Sequence, residues 1–274
     1  MRGAWLAVCV CAAACMLASC GGSGGSAAGV PLTAAAAYAR GHQSYLTGRP
    51  AEAEPDLRRA AALDSTMPDP LVDLGAIWYE RGGQEKDAAR RSDDFRESRD
   101  FLTRAEELGY RDAEAYDRLC ELCTELHDAR GFLKYAKKSV ERYPFDRQYY
   151  NLGVAYFELE DWNAVVRTQR EASEKFRESQ YIGAYFRQTG RAYMKMDRDQ
   201  TAERTLESGM QAVDARIAAV KKAPPAGSSG EALRRLQDDR TGMLTLLRRL
   251  YTIYREQDKL AGVERQLKEA GAPK

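Results

Sequence analysis

Small and apolar residues recur along most of this chain at helical spacing, in pairs of amphipathic segments that are joined by short polar turns. Five such pairs align on a small residue near the middle of their first segment: Gly41, Gly75, Cys120, Gly153 and Gly190. An aromatic residue is common three positions later: Ser44, Trp78, Cys123, Tyr156 and Tyr193. Turn positions follow seven residues after the small residue: Gly48, Gly82, His127, Glu160 and Asp197. The pattern therefore predicts five helix-turn-helix units and no strands.

The five pairs keep a nearly constant phase. The leading small residues are separated by 34, 45, 33 and 37 residues, so the second unit holds about eleven additional residues. We place this insertion within residues 83–94, where mixed charges and few apolar residues indicate a loop or an exposed helical extension. A small residue near the middle of one helix allows its partner helix to approach closely.

These phased segments resemble the tetratricopeptide repeat, a helix-turn-helix unit of about 34 residues. The resemblance covers residues 34–215, and residues 244–270 form a degenerate sixth unit. It implies an all-α fold, a right-handed tetratricopeptide superhelix (a solenoid) of five to six units that follows a signal peptide. Stacking buries the apolar face that one pair cannot bury alone, and the first helices then line a concave groove.

The predicted domains follow from these elements. Residues 34–222 form the array of five units, because the second helix of the fifth unit has no proline before Lys222. Residues 223–230 form a loop rich in proline, glycine and serine, and residues 231–274 form a C-terminal helical cap. We expect the cap to pack on the array, because its leucine stripe needs cover.

The first 33 residues have a different character. Arg2 precedes an uncharged segment from Ala4 to Ala18, too short for a permanent membrane span and typical of a secretory signal at residues 1–19. Leu17-Ala18-Ser19-Cys20 resembles the lipobox of bacterial lipoproteins, which implies lipidation of Cys20 and a Gly/Ser-rich tether at 20–33. The resemblance implies a bacterial membrane lipoprotein, and Gly21 favours the outer membrane, facing the periplasm. An ordinary secretory signal is the alternative.

The charge balance limits the possible partners. With 42 Lys+Arg against 41 Asp+Glu, the chain has no global basic field of the kind that indicates a nucleic-acid partner. Only two histidines are present, and neither a nucleophile elbow nor a phosphate-binding glycine loop occurs. We therefore predict that the protein is not an enzyme and needs no cofactor.

One cluster has the residue types of a metal site. Cys120, Cys123 and His127 share one predicted helical face, as metal ligands could. However, both cysteines stand at packing positions of the repeat, where small buried thiols serve well. We favour core packing and keep a metal site or a redox pair as alternatives.

The register of the first helices also indicates binding residues. Those expected to face the groove are Tyr38, His42, Tyr45, Tyr79, Tyr150, Phe157, Arg187, Arg191 and Lys195. The third unit adds acidic residues at Asp117 and Glu121, so the groove is aromatic at one end, acidic in the middle and basic at the other end. Arg187, Arg191 and Lys195 are spaced four residues apart on one face, where they could bind a carboxylate or a phosphate. The alternative is that these charges form an ordinary solvated helix surface.

Together these features predict a membrane-anchored scaffold or adaptor of the bacterial cell envelope that binds a protein or peptide in its concave groove, with envelope assembly as the expected setting. The alternative is an accessory lipoprotein that binds a small ligand, such as an organic acid, for a transporter.

Overall fold

The computed structural model describes residues 33–222 and 229–271 of the chain, and these residues form twelve helices and no strand. The helices are α1 Ala34–Leu46, α2 Pro50–Leu63, α3 Asp69–Gln84, α4 Ala88–Glu107, α5 Ala113–Glu125, α6 Ala129–Arg142, α7 Asp146–Glu158, α8 Trp162–Lys175, α9 Ile182–Lys195, α10 Asp199–Lys222, α11 Ser229–Ile253 and α12 Gln257–Glu269.

Short polar side chains start several of these helices. Asp87, Asp128 and Asp161 accept hydrogen bonds from backbone N–H groups in the first turns of α4, α6 and α8, and Asp112 does the same for α5. Such N-caps satisfy donors that have no partner within the helix and match its positive end. Three of the second helices therefore begin at an aspartate that the sequence itself specifies.

The helices stack in chain order as antiparallel pairs, and each pair packs on the next. First helices also contact first helices of neighbouring pairs, as between α1 and α3, α7 and α9, and α9 and α11. The result is a right-handed superhelix whose core consists of three successive clusters of buried side chains. The all-α solenoid that the sequence predicts is thus confirmed.

In units one, two, four and five, a glycine of the first helix meets a large residue of the second. A Cβ atom added at Gly41 would lie 2.8 Å from Leu57 Cγ, and one at Gly190 would lie 2.5 Å from Leu206 Cδ2. These leucines are fully buried. Glycine is therefore required there because the partner side chain occupies the space of its missing Cβ atom.

The turns within the pairs repeat one backbone feature. His127, Glu160, Asp197 and Arg255 have positive φ, as Gly48 does, because the chain leaves each first helix through a left-handed residue. Gly82, which the sequence alignment places at the same turn, instead lies buried inside α3, where Phe95 occupies the space beside it. The turn assignment for Gly82 was therefore wrong.

The insertion lengthens both helices of the second pair. α3 continues nine residues past Gly75, whereas α1, α5, α7 and α9 each end five residues past their own small residue. α4 begins fourteen residues before Leu102, whereas the other second helices of the five units begin seven residues before the equivalent position. The four residues added to α3 and the seven added to α4 account for the eleven inserted residues. They lengthen α3 by about one helical turn and α4 by about two.

The C-terminal helices continue the stack. α10 and α11 are 24 and 25 residues long, and α11 packs against both α9 and α10. Leu236, Met243, Leu244 and Leu250 of α11 are almost fully buried in the last core cluster. Helices α11 and α12 form a sixth antiparallel pair on the end of the array.

Candidate functional site

The first helices α1, α3, α5, α7, α9 and α11 form one continuous side of the stack, which we call the first-helix face. At its beginning, two predicted site residues of α1 contact α3, and a third packs on one of them. His42 Nδ1 lies 2.7 Å from Asp73 Oδ2, and the Tyr45 hydroxyl donates a hydrogen bond of 2.8 Å to Glu80. The Tyr38 ring stacks on His42 with 5.2 Å between the ring centroids. These side chains join the first unit to the second.

Burial and neighbouring carboxylates fix the protonation of these tyrosines. Burial, together with the hydrogen bond to Glu80, raises the pKa of Tyr45 to about 12, and burial next to Asp73 raises the pKa of Tyr38 to about 12. Burial also raises the pKa of Asp73, against the hydrogen bond from His42. Both phenols therefore remain hydrogen-bond donors over the physiological pH range.

The same arrangement continues from α3 to α5 and from α5 to α7. The Tyr79 hydroxyl donates a hydrogen bond of 2.8 Å to Glu121, and the Arg118 guanidinium lies 5.4 Å from the Tyr79 ring centroid. Arg147 of α7 lies 3.2 Å from Glu121 and 3.3 Å from Asp117. The acidic middle that the sequence predicts is therefore partly neutralised by the next unit.

Aromatic contacts dominate from α7 to α9. The Tyr150 ring stacks on Tyr181 at 4.9 Å between centroids, and Phe157 meets Trp162 edge to face at 4.9 Å. The Arg191 guanidinium lies 4.3 Å from the Phe157 ring centroid, within the range of a cation–π interaction. Predicted aromatic and basic residues are thus brought together at this point.

A buried carboxylate joins α9 to α11. Arg187 lies 2.9 Å from Asp239 Oδ1, while Asp239 Oδ2 is buried and has no hydrogen-bond partner among the described residues. Only 3% of Asp239 is exposed, and burial raises its pKa to about 6 although Arg187 and Arg235 favour the ionised form. The Arg235 guanidinium lies 4.7 Å from the Tyr181 ring centroid. The Arg187–Asp239 ion pair and the Arg235–Tyr181 contact therefore lie together between α9 and α11.

Two cavities open between α9 and α11 on the first-helix face. The first has a volume of about 380 Å³ and includes Tyr150, Tyr181, Arg187, Arg234, Arg235 and Asp239 in its wall. The second has a volume of about 460 Å³ and includes Arg191, Lys195 and Arg249. We call the two cavities together the α9–α11 cleft.

Several cations of the cleft have no carboxylate partner. Arg191, Lys195, Arg234 and Arg249 make no salt bridge within the described residues. Of the acidic wall residues, Asp199, Glu231 and Asp239 accept a hydrogen bond or an ion pair, whereas the side chains of Asp197 and Asp238 do neither among those residues. Six cations against five carboxylates leave the cleft with a small positive excess, so it can accept an anionic group. The nine predicted side chains lie in consecutive groups along the first-helix face. Of these nine, only Tyr150, Arg187, Arg191 and Lys195 line the cleft.

The basic residues of α11 were not predicted as part of a site. Arg248 stands where the other units have a small residue, which hides the sixth unit from a search for glycine. Two signals could have revealed it: Tyr251 occupies the aromatic position three residues later, and Arg255 occupies the left-handed turn. With that alignment, Arg234 and Arg249 fall on a first helix.

Cys120, Cys123 and His127 do not form a metal site in the part of the chain that the structure describes, where no group of three or more potential ligands is found. Both cysteines are free thiols buried in the second core cluster. Burial raises the pKa of Cys120 strongly and that of Cys123 to about 11, which disfavours the thiolate that binds metal. His127 supplies the positive-φ turn.

Cys20, the predicted lipidation site, lies outside the described residues, as do the signal and the tether through residue 32 and residues 223–228 of the predicted loop. Among the described helices, none combines the length and the hydropathy that crossing a membrane requires.

Comparison with solved structures relates the fold to known ones. The chain resembles YrrB, described as a TPR protein with an unusual peptide-binding site, at a TM-score of 0.53 and 13% identity over 73% of this chain and 92% of YrrB. It resembles the MamA protein at a TM-score of 0.54 and 14% identity over 72% of this chain and 98% of MamA. The fold is a tetratricopeptide-repeat solenoid. No protein-family model matches the chain, and no curated protein matches it either.

Proposed function

We propose that the protein is a non-enzymatic adaptor, anchored in a bacterial envelope membrane through Cys20, that binds an acidic protein segment along its first-helix face. The observation that carries this proposal is the α9–α11 cleft, where four cations without carboxylate partners surround two cavities next to stacked tyrosines. Arginine side chains bind carboxylates through two parallel hydrogen bonds, and exposed tyrosine supplies apolar contact at low entropic cost.

The rest of the face is ordered before any partner binds. Hydrogen bonds between units already hold Tyr45 and Tyr79 in fixed orientations. A preordered surface of this kind loses little side-chain entropy on binding. The peptide-binding site named for YrrB gives a precedent for peptide binding in this fold.

Charge reversal at Arg191 tests the proposal. Arg191 is exposed and makes no salt bridge within the described residues, so Arg191→Glu should preserve the fold. The partner is first recovered by crosslinking the lipidated protein in its membrane, and its affinity for purified variants is then measured. Replacing attraction by repulsion at one contact should weaken binding about tenfold or more.

Arg167→Glu is the matched control, because Arg167 is an exposed arginine of α8 outside the cleft. It introduces the same charge change and should leave affinity unchanged. Equal affinities for the two variants would refute the role of the cleft, and recovery of no envelope partner would refute the adaptor function.

Membrane anchoring requires its own experiment. We expect mass spectrometry of the mature N-terminal peptide to show a diacylglyceryl group on Cys20, and Cys20→Ala to move the protein from the membrane to the soluble fraction. An unmodified N-terminus that begins at another residue would favour an ordinary secretory signal instead.

A second candidate function is the binding of a small organic acid. The smaller cavity favours it, because its volume of about 380 Å³ lies in the range of small-ligand sites, and Arg234, which makes no salt bridge within the described residues, lines it together with two tyrosines. Thermal unfolding in the presence of a panel of dicarboxylic and aromatic acids separates the two functions. A stabilising acid at millimolar concentration supports a small ligand, since a ligand that binds only the folded state raises the unfolding temperature.

A further inference from the structure

A groove of about 820 Å³ runs along the opposite side of the stack, between the second helices α8 and α10, with α9 as its floor. Tyr185 and Ile182 of α9 are buried in this floor, while Phe186 is half-buried. Within the described residues no hydrogen bond or salt bridge joins α8 to α10. We call this site the α8–α10 groove, and it is separate from the α9–α11 cleft of the proposed function.

The equivalent gap between α4 and α6 is closed. Thr103 and Tyr135 share a hydrogen bond of 2.9 Å across it, and Lys138 lies 2.8 Å from Glu106. These bridges join two successive second helices directly. No such bridge joins the described residues of α8 and α10, and a groove floored by α9 lies between them.

The wall that α10 contributes is a regular seam of small side chains. Its members are Thr201, Thr205, Ser208, Ala212, Ala215 and Ala219, which all line the groove. They are separated by four, three, four, three and four residues, the spacing at which one helix packs along another in a coiled coil. The seam spans nineteen residues of helix, about 27 Å from first to last, and its small side chains allow a second backbone to approach closely.

Most hydroxyl groups of the groove already donate hydrogen bonds. Thr205 donates a hydrogen bond of 2.7 Å to the Thr201 carbonyl, Ser208 donates one of 2.8 Å to the Arg204 carbonyl, and Thr189 of α9 donates one of 2.9 Å to the Tyr185 carbonyl. The seam therefore presents mainly methyl and methylene groups outward. An apolar side chain can cover these hydroxyl groups without leaving them unpaired.

The rim of the groove is basic. Arg170, Arg177, Arg204 and Arg216 line it and make no salt bridge within the described residues, and only Glu174 and Glu178 oppose them. The Nε atom of Arg216 is buried and has no hydrogen-bond partner among those residues. An occupant with carboxylates on both sides would complement this rim.

We propose that the α8–α10 groove docks an amphipathic helix of a partner protein, with small or medium apolar residues at heptad spacing and Asp or Glu on both flanks. The seam sets the helical period, the satisfied hydroxyls select an apolar face, and the unpaired arginines select acidic flanks. The adaptor would then have two docking surfaces on opposite sides of α9.

Three synthetic helical peptides of about 18 residues test this proposal by fluorescence anisotropy with the full chain. The first has a Leu/Ala heptad seam with Glu flanks, the second has the same seam with Lys flanks, and the third has the first composition with the seam scrambled. We expect the first peptide to bind about tenfold or more tightly than the other two.

Variants of α10 locate the binding. Ala215→Trp should weaken binding of the first peptide about tenfold or more because the indole fills the groove, whereas Ala218→Trp, on an exposed position of the same helix outside the groove, should change it less than about twofold. Arg204→Glu with Arg216→Glu should abolish the preference for Glu flanks. Arg191→Glu, in the other site, should have no effect, so the two proposals fail separately.

Three results would overturn the docking proposal: equal binding of the Lys-flanked peptide, equal loss with both tryptophan variants, or no binding of any peptide up to about 1 mM.

Discussion

The contact between Gly190 and Leu206 allows a strict test of how each helix pair is held together. Units one, two and five pair a glycine of the first helix with a leucine of the second, sixteen residues apart in the units without the insertion. The third unit has Cys120 at the first position and Ala136 at the second, both buried in one cluster. The third unit thus reverses which of the two helices carries the larger side chain.

The structure sets the size of the effect. In Gly190→Cys the new Cβ atom would lie 2.5 Å from Leu206 Cδ2 and 2.7 Å from Leu206 Cγ, and such overpacking costs about 2 kcal/mol. Leu206 is fully buried, so Leu206→Ala leaves a cavity that costs about 3 kcal/mol. The double variant removes three carbon atoms and adds one carbon and one sulfur atom in the same space, so it should cost only about 2 kcal/mol.

Urea denaturation followed by far-UV circular dichroism gives the free energy of unfolding of each variant. The double variant should lose about 3 kcal/mol less than the sum of the two single variants. As a control, Gly41→Cys combined with Leu206→Ala should be additive, because Gly41 contacts Leu57 in a different unit. Additive losses for the Gly190 and Leu206 pair would refute the idea that the two positions share one volume.

Three further predictions concern single residues. Burial raises the pKa of Asp239 in the folded protein to about 6, whereas the same carboxyl group in the unfolded chain has a pKa near 3.8. The folded state therefore takes up a proton as pH falls from about 6 towards 4, and the free energy of unfolding should rise by at most about 3 kcal/mol. In urea denaturation, Asp239→Asn should lack this rise. Arg255 and Gly48 both have positive φ, a conformation that favours glycine. In thermal unfolding, Arg255→Gly should therefore stabilise the fold by about 1 kcal/mol, and Gly48→Ala should destabilise it by a similar amount. Iodoacetamide should label Cys120 and Cys123 at neutral pH only after unfolding, as peptide mass mapping would show, because burial keeps both thiols protonated and covered; rapid labelling of the native chain would contradict their burial.

The repeat phase was readable from the sequence because packing allows little choice at the contact between paired helices. Gly41 and Gly190 stand where a leucine fills the space of a side chain, so their spacing reports the geometry of the pair directly. Gly82 was misread because glycine can be required for two different reasons, a left-handed turn or a close contact with a large side chain. In α3 it makes room for Phe95 rather than for a left-handed turn, and the inserted residues moved the turn beyond it.

The candidate sites were less predictable, because they depend on which charged residues remain unpaired after folding. The register correctly placed Arg187 and Arg191 on one helix, but it did not reveal that Asp239 would pair with Arg187 while Arg191 would have no carboxylate partner in the described chain. The two residues differ in what the sixth unit presents to them. Because that unit has Arg248 in place of a small residue, the glycine alignment did not show which residues of α11 face α9.

Helix α9 lies between the two groups of unpaired cations that line the α9–α11 cleft and the α8–α10 groove. It contacts α7, α8, α10 and α11, so its side chains divide between two environments. Arg187 and Arg191 face α11, while Tyr185, Phe186 and Thr189 face the groove between α8 and α10. An α-helix with its side chains is about 10 Å across, and a single helix therefore separates two open surfaces of different chemistry. With almost no net charge on the chain, long-range attraction is weak, so under both proposals the local unpaired arginines on each side of α9 select the partner.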